Sequence, residues 1–271
     1  MPIKLHLIAA LLIACFALSG APVFAADMML APFKKSDGKW GFVNSDHCWV
    51  INPQFERAVS FSDGLAKVQL GYKSGFIDRT GKMVINPQFE SDFAYSFSDG
   101  LAMVKLGDKY GYIDRTGKTV INPQFDFAWS FSDGLAQVKL GGKWGYIDRN
   151  GKMVINPQFE DVFRFSDGLA SVKLGGKWGF IDRTGKTVIK EQFDASTISY
   201  GLTTFEEGLA KVQLGGKFGF IDRTGKMVIN PQFDSAYGFK DGLATVKLGG
   251  KDFQINRAGQ VLLDPTCTAK P

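Results

Sequence analysis

Histidine is almost missing from this chain of 271 residues, which has only His6 and His47, and cysteine is limited to Cys15, Cys48 and Cys267. His47 is the one histidine beyond the first 25 residues. A Ser-His-Asp triad or a histidine-rich metal site therefore has little to be built from. No charge of one sign dominates: Lys and Arg exceed Asp and Glu by +5, with acids beside bases along the whole chain. A nucleic-acid binder concentrates its basic residues on one face, so nucleic acid is not an expected partner. Past residue 25 there is no long apolar run, no low-complexity stretch and no helical periodicity, which excludes a membrane-spanning helix there.

The first 25 residues differ from the rest. Lys4 is their only charged residue with histidine neutral, Leu5 to Leu18 is mostly apolar, Ser19-Gly20-Ala21-Pro22 breaks the run, and Val23-Phe24-Ala25 offers a small-residue exit. This is the pattern of a secretory signal peptide over 1–25, removed to leave 26–271 with a net charge of +4. Leu12-Ile13-Ala14-Cys15 also has the form of a lipoprotein box, the alternative being a lipid on Cys15. Either way the expectation is export to the periplasm, the cell surface or beyond. Export puts Cys48 and Cys267 in an oxidising setting where a disulfide persists. Their Cα atoms would have to lie within about 7 Å, which a ring of repeats allows and a straight stack forbids. Two unpaired buried thiols are the alternative.

What the chain has is one phrase, reiterated. Trp40-Gly41 recurs as Ser74-Gly75, Tyr110-Gly111, Trp144-Gly145, Trp178-Gly179, Phe218-Gly219 and, degraded, Asp252-Phe253, at spacings of 34, 36, 34, 34, 40 and 34. A fixed period of this size signals a repeat architecture. Within a copy, Ala66, Val68 and Leu70 alternate with Lys67 and Gln69, the period of a strand. Gly-Gly pairs such as Gly141-Gly142 mark a two-residue hairpin. Asp78-Arg79-Thr80-Gly81 marks a second turn, and Pro87 is expected to end a third strand. The linker that follows, with Phe89 and Phe97, is expected to plug the joint between units and has room for a short fourth strand.

The fold class expected is all-β: seven tandem three-stranded antiparallel meanders over about 30–55, 65–89, 101–125, 135–159, 169–193, 209–233 and 243–267. Trp144 and Tyr146 point to one face of their strand and Ile147 to the other, so both faces are apolar and each meander needs a neighbour on either side. That favours a propeller-like closed ring, with an open β-solenoid or stacked hairpin superhelix as the alternative. The glycine beside each aromatic is expected to let the adjacent meander approach.

The phrase Lys-aromatic-Gly-[FY]-Ile-Asp-Arg-Thr-Gly-Lys-x-Val-Ile-Asn-Pro-Gln-Phe, followed by Phe-Ser-Asp-Gly-Leu-Ala, resembles the bacterial WG repeat, also called the KWG repeat. The resemblance covers about residues 30–267; Ser74, Lys190-Glu191 and the worn last copy depart from it. It implies an all-β repeat protein, often exported, with no activity or binding residue settled for the family. A fainter likeness links the aromatic hairpins to choline-binding cell-wall repeats, whose units are shorter and stack open.

Candidate functional residues are few. His47-Cys48 is the only such pair, and strand neighbours point apart, so it is read as structural. Arg79, Arg115, Arg149, Arg183 and Arg223 lie in turns on the same edge as Asp63, Asp99, Asp133, Asp167 and Asp241. They read as locally paired turn residues, or alternatively as a charged rim for an anionic polymer. The aromatics Trp40, Tyr110, Trp144, Trp178 and Phe218 read as packing, with sugar or cation stacking as the alternative. Thr197 to Leu202 lengthen one joint by six residues, and Tyr200 at its centre is the one-off binding candidate. No copy differs from its siblings as a catalytic centre requires, and no cofactor is implied. The expected function is a non-enzymatic exported binding or scaffold surface for a protein or cell-wall glycan. The alternatives are a structural envelope component anchored through Cys15, and a hydrolase with a site on the loops.

Overall fold

The structure, a computed structural model, describes residues 29–90, 94–194 and 204–262. Among these residues there is no helix, and seven small antiparallel sheets follow one another in chain order. They span 31–55, 57–90, 101–125, 127–159, 161–193, 209–233 and 235–262. The fourth sheet shows the unit. Phe127–Ala128, Leu135–Leu140, Lys143–Asp148 and Met153–Phe159 pair in that order. Gly141 and Gly142 close the first hairpin at φ 59° and 79°, the left-handed pair that a type I′ turn needs. In the next turn Asp148 Oδ1 accepts the backbone N–H groups of Asn150 and Lys152, both at 2.9 Å. This Asx turn is the local reason for an aspartate there.

Two local expectations are corrected, and the room the linker had for a fourth strand is filled. The linker supplies a fourth strand: two residues such as Phe127–Ala128 or Asp161–Val162 lead the sheet, so four of the seven sheets are four-stranded. In the third sheet Ala94 makes the equivalent bridge to Val104. Proline does not end the last strand. Met153–Phe159 runs through Pro157, and the ladder bulges there, with Tyr146 paired to Ile155 but Trp144 to Phe159. A bulge is where a residue without an N–H can be kept inside a strand. The glycine beside the aromatic serves that bulge rather than the neighbouring sheet. A Cβ on Gly145 would lie 2.4 Å from the Ile155 carbonyl oxygen and 2.8 Å from Pro157 N.

The core is divided among the joints. Trp144, Tyr146, Ile155 and Phe159 of the fourth sheet pack on Val162, Phe165 and Val172 of the fifth. Ala136, Val138 and Ile147, on the opposite face, pack on Tyr112, Ile121 and Phe125 of the third. Six such clusters join the seven sheets pairwise in order. The two hairpin strands thus bury both faces, while the last strand alternates buried with exposed residues. The end sheets differ. Exposed Asp252 and Gln254 stand in the seventh sheet where the sixth has buried Phe218 and Phe220, and in the first sheet Phe33 is exposed. Among the described residues no apolar cluster joins the seventh sheet to the first.

Hydrogen bonds tie the edges of the same joints. Between the third and fourth sheets, Asp126 accepts Lys109 Nζ at 2.5 Å and the Gly141 N–H at 2.8 Å. At the other edge Ser98 Oγ donates to the Phe131 carbonyl at 2.6 Å, and Asp99 accepts the Gly134 N–H at 2.7 Å.

Two predictions follow from this geometry. Gly145→Ala places a methyl group against backbone that has no room to yield, and should destabilise the protein by about 1–3 kcal/mol in urea titration, the scale of overpacking. The second concerns pH. The threonine hydroxyl at 2.6 Å, aided by backbone N–H groups, holds Asp78, Asp114, Asp182 and Asp222 below the usual carboxylate range. A depressed folded-state value means stability that is present above the unfolded value of about 3.9 and lost as pH falls through the folded one. Asn44 and Asn256 hold the same turn position in the first and last sheets. Replacing the four aspartates by asparagine should keep the turns and flatten the loss of thermal stability below pH 4.

Candidate functional site

The short lead strands gather on one side of the array. A cleft of about 740 Å³ is lined by Ser98 from the third sheet, Trp129, Ser130, Gln137 and Trp144 from the fourth, Asp161, Phe163 and Arg164 from the fifth, and Thr204 and Glu206 leading into the sixth. The lining draws on four successive sheets, so the segments that lead into them lie side by side. The volume falls in the range of small-molecule sites.

Each lead strand is followed by a residue that is at most partly covered. These residues are Val59, Tyr95, Trp129, Phe163 and Tyr237, and Trp129 is 49% exposed. Their N–H groups continue the ladder: that of Trp129 donates to Gln137 O and that of Phe163 to Ser171 O, both at 3.0 Å. Their rings are braced sideways. Trp129 meets Phe127 edge-on at 5.3 Å, and Phe163 lies 5.3 Å from Trp178. At two positions the carbonyl is also held. Tyr112 donates its hydroxyl to Trp129 O and Tyr146 donates to Phe163 O, both at 2.7 Å. Burial pushes both phenols far above their ordinary pKa, so they remain protonated donors. Phe42, Phe76, Phe180 and Phe220 fill this position in other sheets.

A second cleft of about 420 Å³ lies over the first three sheets, lined by Trp40, Arg57, Lys67, Gln69, Ser74 and Tyr95. Ser74 occupies the slot that holds a ring elsewhere, and the missing ring leaves the space. Lys67 Nζ donates to Ala94 O at 2.8 Å across this joint. Lys211 makes the corresponding bond to Ala236 O at 2.9 Å, and burial lowers its pKa while the nearby Glu206 opposes that shift.

Of the arginines singled out from sequence, Arg115, Arg149, Arg183 and Arg223 are structural neighbours of the Ser-Asp-Gly loops of the preceding sheet. Arg183 and Arg223 donate to the carbonyls of Asp133 and Asp167. Arg115 and Arg149 sit against Gly64 and Gly100, where a Cβ would lie 2.6 and 2.9 Å from the guanidinium. The Arg79 guanidinium lies 5.2 Å from the centre of the Phe61 ring. Of the slot aromatics, Tyr110, Trp144, Trp178 and Phe218 are buried and Trp40 is half-buried. His47 and Cys48 lie in a turn rather than a strand, and His47, at φ 60°, takes the place that Gly81 has in the next sheet. Cys48 is disulfide-bonded. Tyr200, Cys15 and Cys267 fall outside the described residues, as does the segment 1–25.

Sequence reasoning missed Trp129 and Phe163 by treating all linker aromatics as plugs. The signal was available inside the chain. Phe97, Phe131, Phe165, Phe205 and Phe239 repeat unchanged and are buried, whereas the residue two positions before each varies as Tyr95, Trp129, Phe163 and Tyr237 wherever it is described.

A family profile described as WG containing repeat matches residues 40–73, 75–110, 110–144, 144–178, 178–218 and 218–251. The chain belongs to this family. Each matched WG segment runs from at or near the slot of one sheet to at or near the slot of the next, so the family unit contains one joint rather than one sheet. A search of curated proteins found no match. Among solved structures, one described as a eukaryotic initiation factor is similar at a TM-score of 0.52 and 12% identity, over 86% of this chain and 73% of that chain. A streptogramin B lyase structure is similar at 0.42 and 17%, over 86% and 85%. Hsv2p of Kluyveromyces lactis is similar at 0.44 and 9%, over 72% of each chain. At 12% identity the likeness to the first of these is one of fold alone.

Exposure separates the two kinds of linker aromatic, and mutation should do the same. Phe131→Ala, at a position 1% exposed, should cost about 3–5 kcal/mol in denaturant unfolding. Trp129→Ala should cost far less, because half of its ring already meets water.

Proposed function

We propose that this WG repeat protein is an exported, non-enzymatic binding scaffold, and that the cleft along its lead strands is the binding surface. One observation carries the reading: the copies are uniform where sheets meet and varied where the cleft is lined. Trp129, Gln137, Asp161, Phe163, Arg164 and Glu206 make a set of groups that occurs at no other place among the described residues. A rigid repeat frame with a one-off lining suits recognition. The partner is a protein or a cell-wall glycan. The signal-like segment 1–25 supports a site of action outside the cytoplasm.

The seven sheets form a propeller-like ring in this reading. Its seam, between the polar face of the seventh sheet and the exposed Phe33 face of the first, is closed by a Cys48–Cys267 disulfide rather than by an apolar joint. Support comes from the bonded state of Cys48 and from the two apolar faces of the middle sheets, each of which needs a neighbour on either side. Non-reducing peptide mapping of the exported protein should recover the Cys48–Cys267 peptide pair. Cys48→Ser should then cost about 2–4 kcal/mol of stability; a free Cys267 would refute the closure.

The Leu12-Ile13-Ala14-Cys15 box favours a second reading, an envelope component held by a lipid on Cys15. Mass spectrometry of the mature N-terminus separates the two. For the binding role, the mature protein immobilised on a surface should retain a ligand from glycan or peptide arrays. Turnover of a hydrolase substrate with no retained ligand would overturn it.

A further inference from the structure

We infer that the 740 Å³ cleft over the third to sixth sheets takes a short, uncharged oligosaccharide, with Trp129 and Phe163 as stacking platforms and Tyr112 and Tyr146 as the residues that position them. This inference rests on the binding reading above and names the ligand class of that site.

The chemistry of the lining points to a sugar. A pyranose ring presents an apolar C–H face and a rim of hydroxyls. The cleft presents aromatic surface from Trp129 and Phe163, surrounded by the hydroxyls of Ser130 and Thr204, the amide of Gln137, the carboxylates of Asp161 and Glu206, and the Arg164 guanidinium. Those groups supply both donors and acceptors. Charge is close to balanced: Arg164 lies in the lining with the two carboxylates, and the buried Lys211 ammonium is close enough to Glu206 to feel its charge. A ligand without net charge fits that balance better than a polyanion or polycation. An extended peptide fits less well. It binds a sheet edge through main-chain hydrogen bonds, and the edge strands at the cleft, Phe127–Ala128 and Asp161–Val162, are two residues long.

The tyrosines supply an independent observation. Of the sheets with an aromatic at this position, only the third and fourth carry tyrosine, and their hydroxyls hold the carbonyls of the two platform residues that line the cleft. Tyr112 is 0% and Tyr146 1% exposed. Phenylalanine fills the same packing space in Phe76, Phe180 and Phe220, so packing alone does not account for the hydroxyls. A buried hydroxyl that fixes the backbone of a half-exposed aromatic lowers the ordering cost of binding on that aromatic.

The test is a titration of the full mature protein, followed by tryptophan fluorescence and calorimetry. The probes are β-linked tetrasaccharides of glucose, N-acetylglucosamine, galactose and mannose, together with heparin and a set of aromatic-containing peptides. At least one neutral tetrasaccharide should bind and should shield Trp129 from acrylamide quenching. Trp129→Ala should weaken it about tenfold, the scale of one lost aromatic contact. Tyr112→Phe and Tyr146→Phe should each weaken it about threefold, a fraction of one hydrogen bond. Their unfolding midpoints should stay unchanged, since phenylalanine is accommodated at this position in the sister sheets. A purely structural tyrosine would move the midpoint and leave the affinity alone, which would overturn the positioning role. Binding of peptides or heparin in a Trp129-dependent way, with every sugar silent, would overturn the ligand class and leave the binding role standing. Sugar binding indifferent to Trp129→Ala would overturn the site. Silence from all probes would overturn both this inference and the binding reading.

Discussion

A small antiparallel sheet that is apolar on both sides cannot stand in water alone, and everything else in this protein follows from that constraint. Each of the six described joints pairs the aromatic face of one sheet with the smaller aliphatic face of the next: Trp144, Tyr146 and Phe159 on one side, Val162, Ala170 and Val172 on the other. Large against small lets the faces interlock at the density of a protein interior. Stability is then a sum over neighbours, as expected of repeat arrays. The polar groups near each joint serve the same end. The Lys109–Asp126 pair and the Ser98–Phe131 bond close the two edges of one interface, where exposed ion pairs by themselves would contribute little.

The dependence on neighbours also explains why the ends look worn. Asp252 and Gln254 stand in the seventh sheet where a ring would have no partner, and polar residues on an uncovered face avoid a sticky surface. His47 at a left-handed turn position and Asn44 in the Asx role show that the first sheet keeps the backbone plan with different side chains. Uniformity is therefore demanded at the joints and relaxed wherever a residue meets no neighbour. The lead-strand residues Tyr95, Trp129, Phe163 and Tyr237 lie in that relaxed zone, which is why they can vary without loosening the frame.

Much of the fold was legible in the residues. The Gly-Gly hairpins, the Asx turns and the two apolar faces are local or periodic, and each reading reached the structure intact. The misreadings share one cause. Pro157 and Gly145 take their roles from a ladder partner elsewhere in the chain. Proline reads as a terminator until the bulge against Trp144 and Tyr146 is seen. Gly145 reads as a gap for a neighbouring sheet until the Ile155 carbonyl is found 2.4 Å from where its Cβ would be.

By itself the sequence determined the class of structure: a β-rich unit repeated seven times, greasy on two sides, with its turns assigned. It could do so because strand periodicity and turn chemistry are properties of a few adjacent residues. Only the tertiary structure decided which linker aromatics are buried and which stay partly exposed, and that Trp129, Phe163 and Glu206 line one cleft. They come from three successive sheets held together by two joints, and no single segment of the chain encodes both.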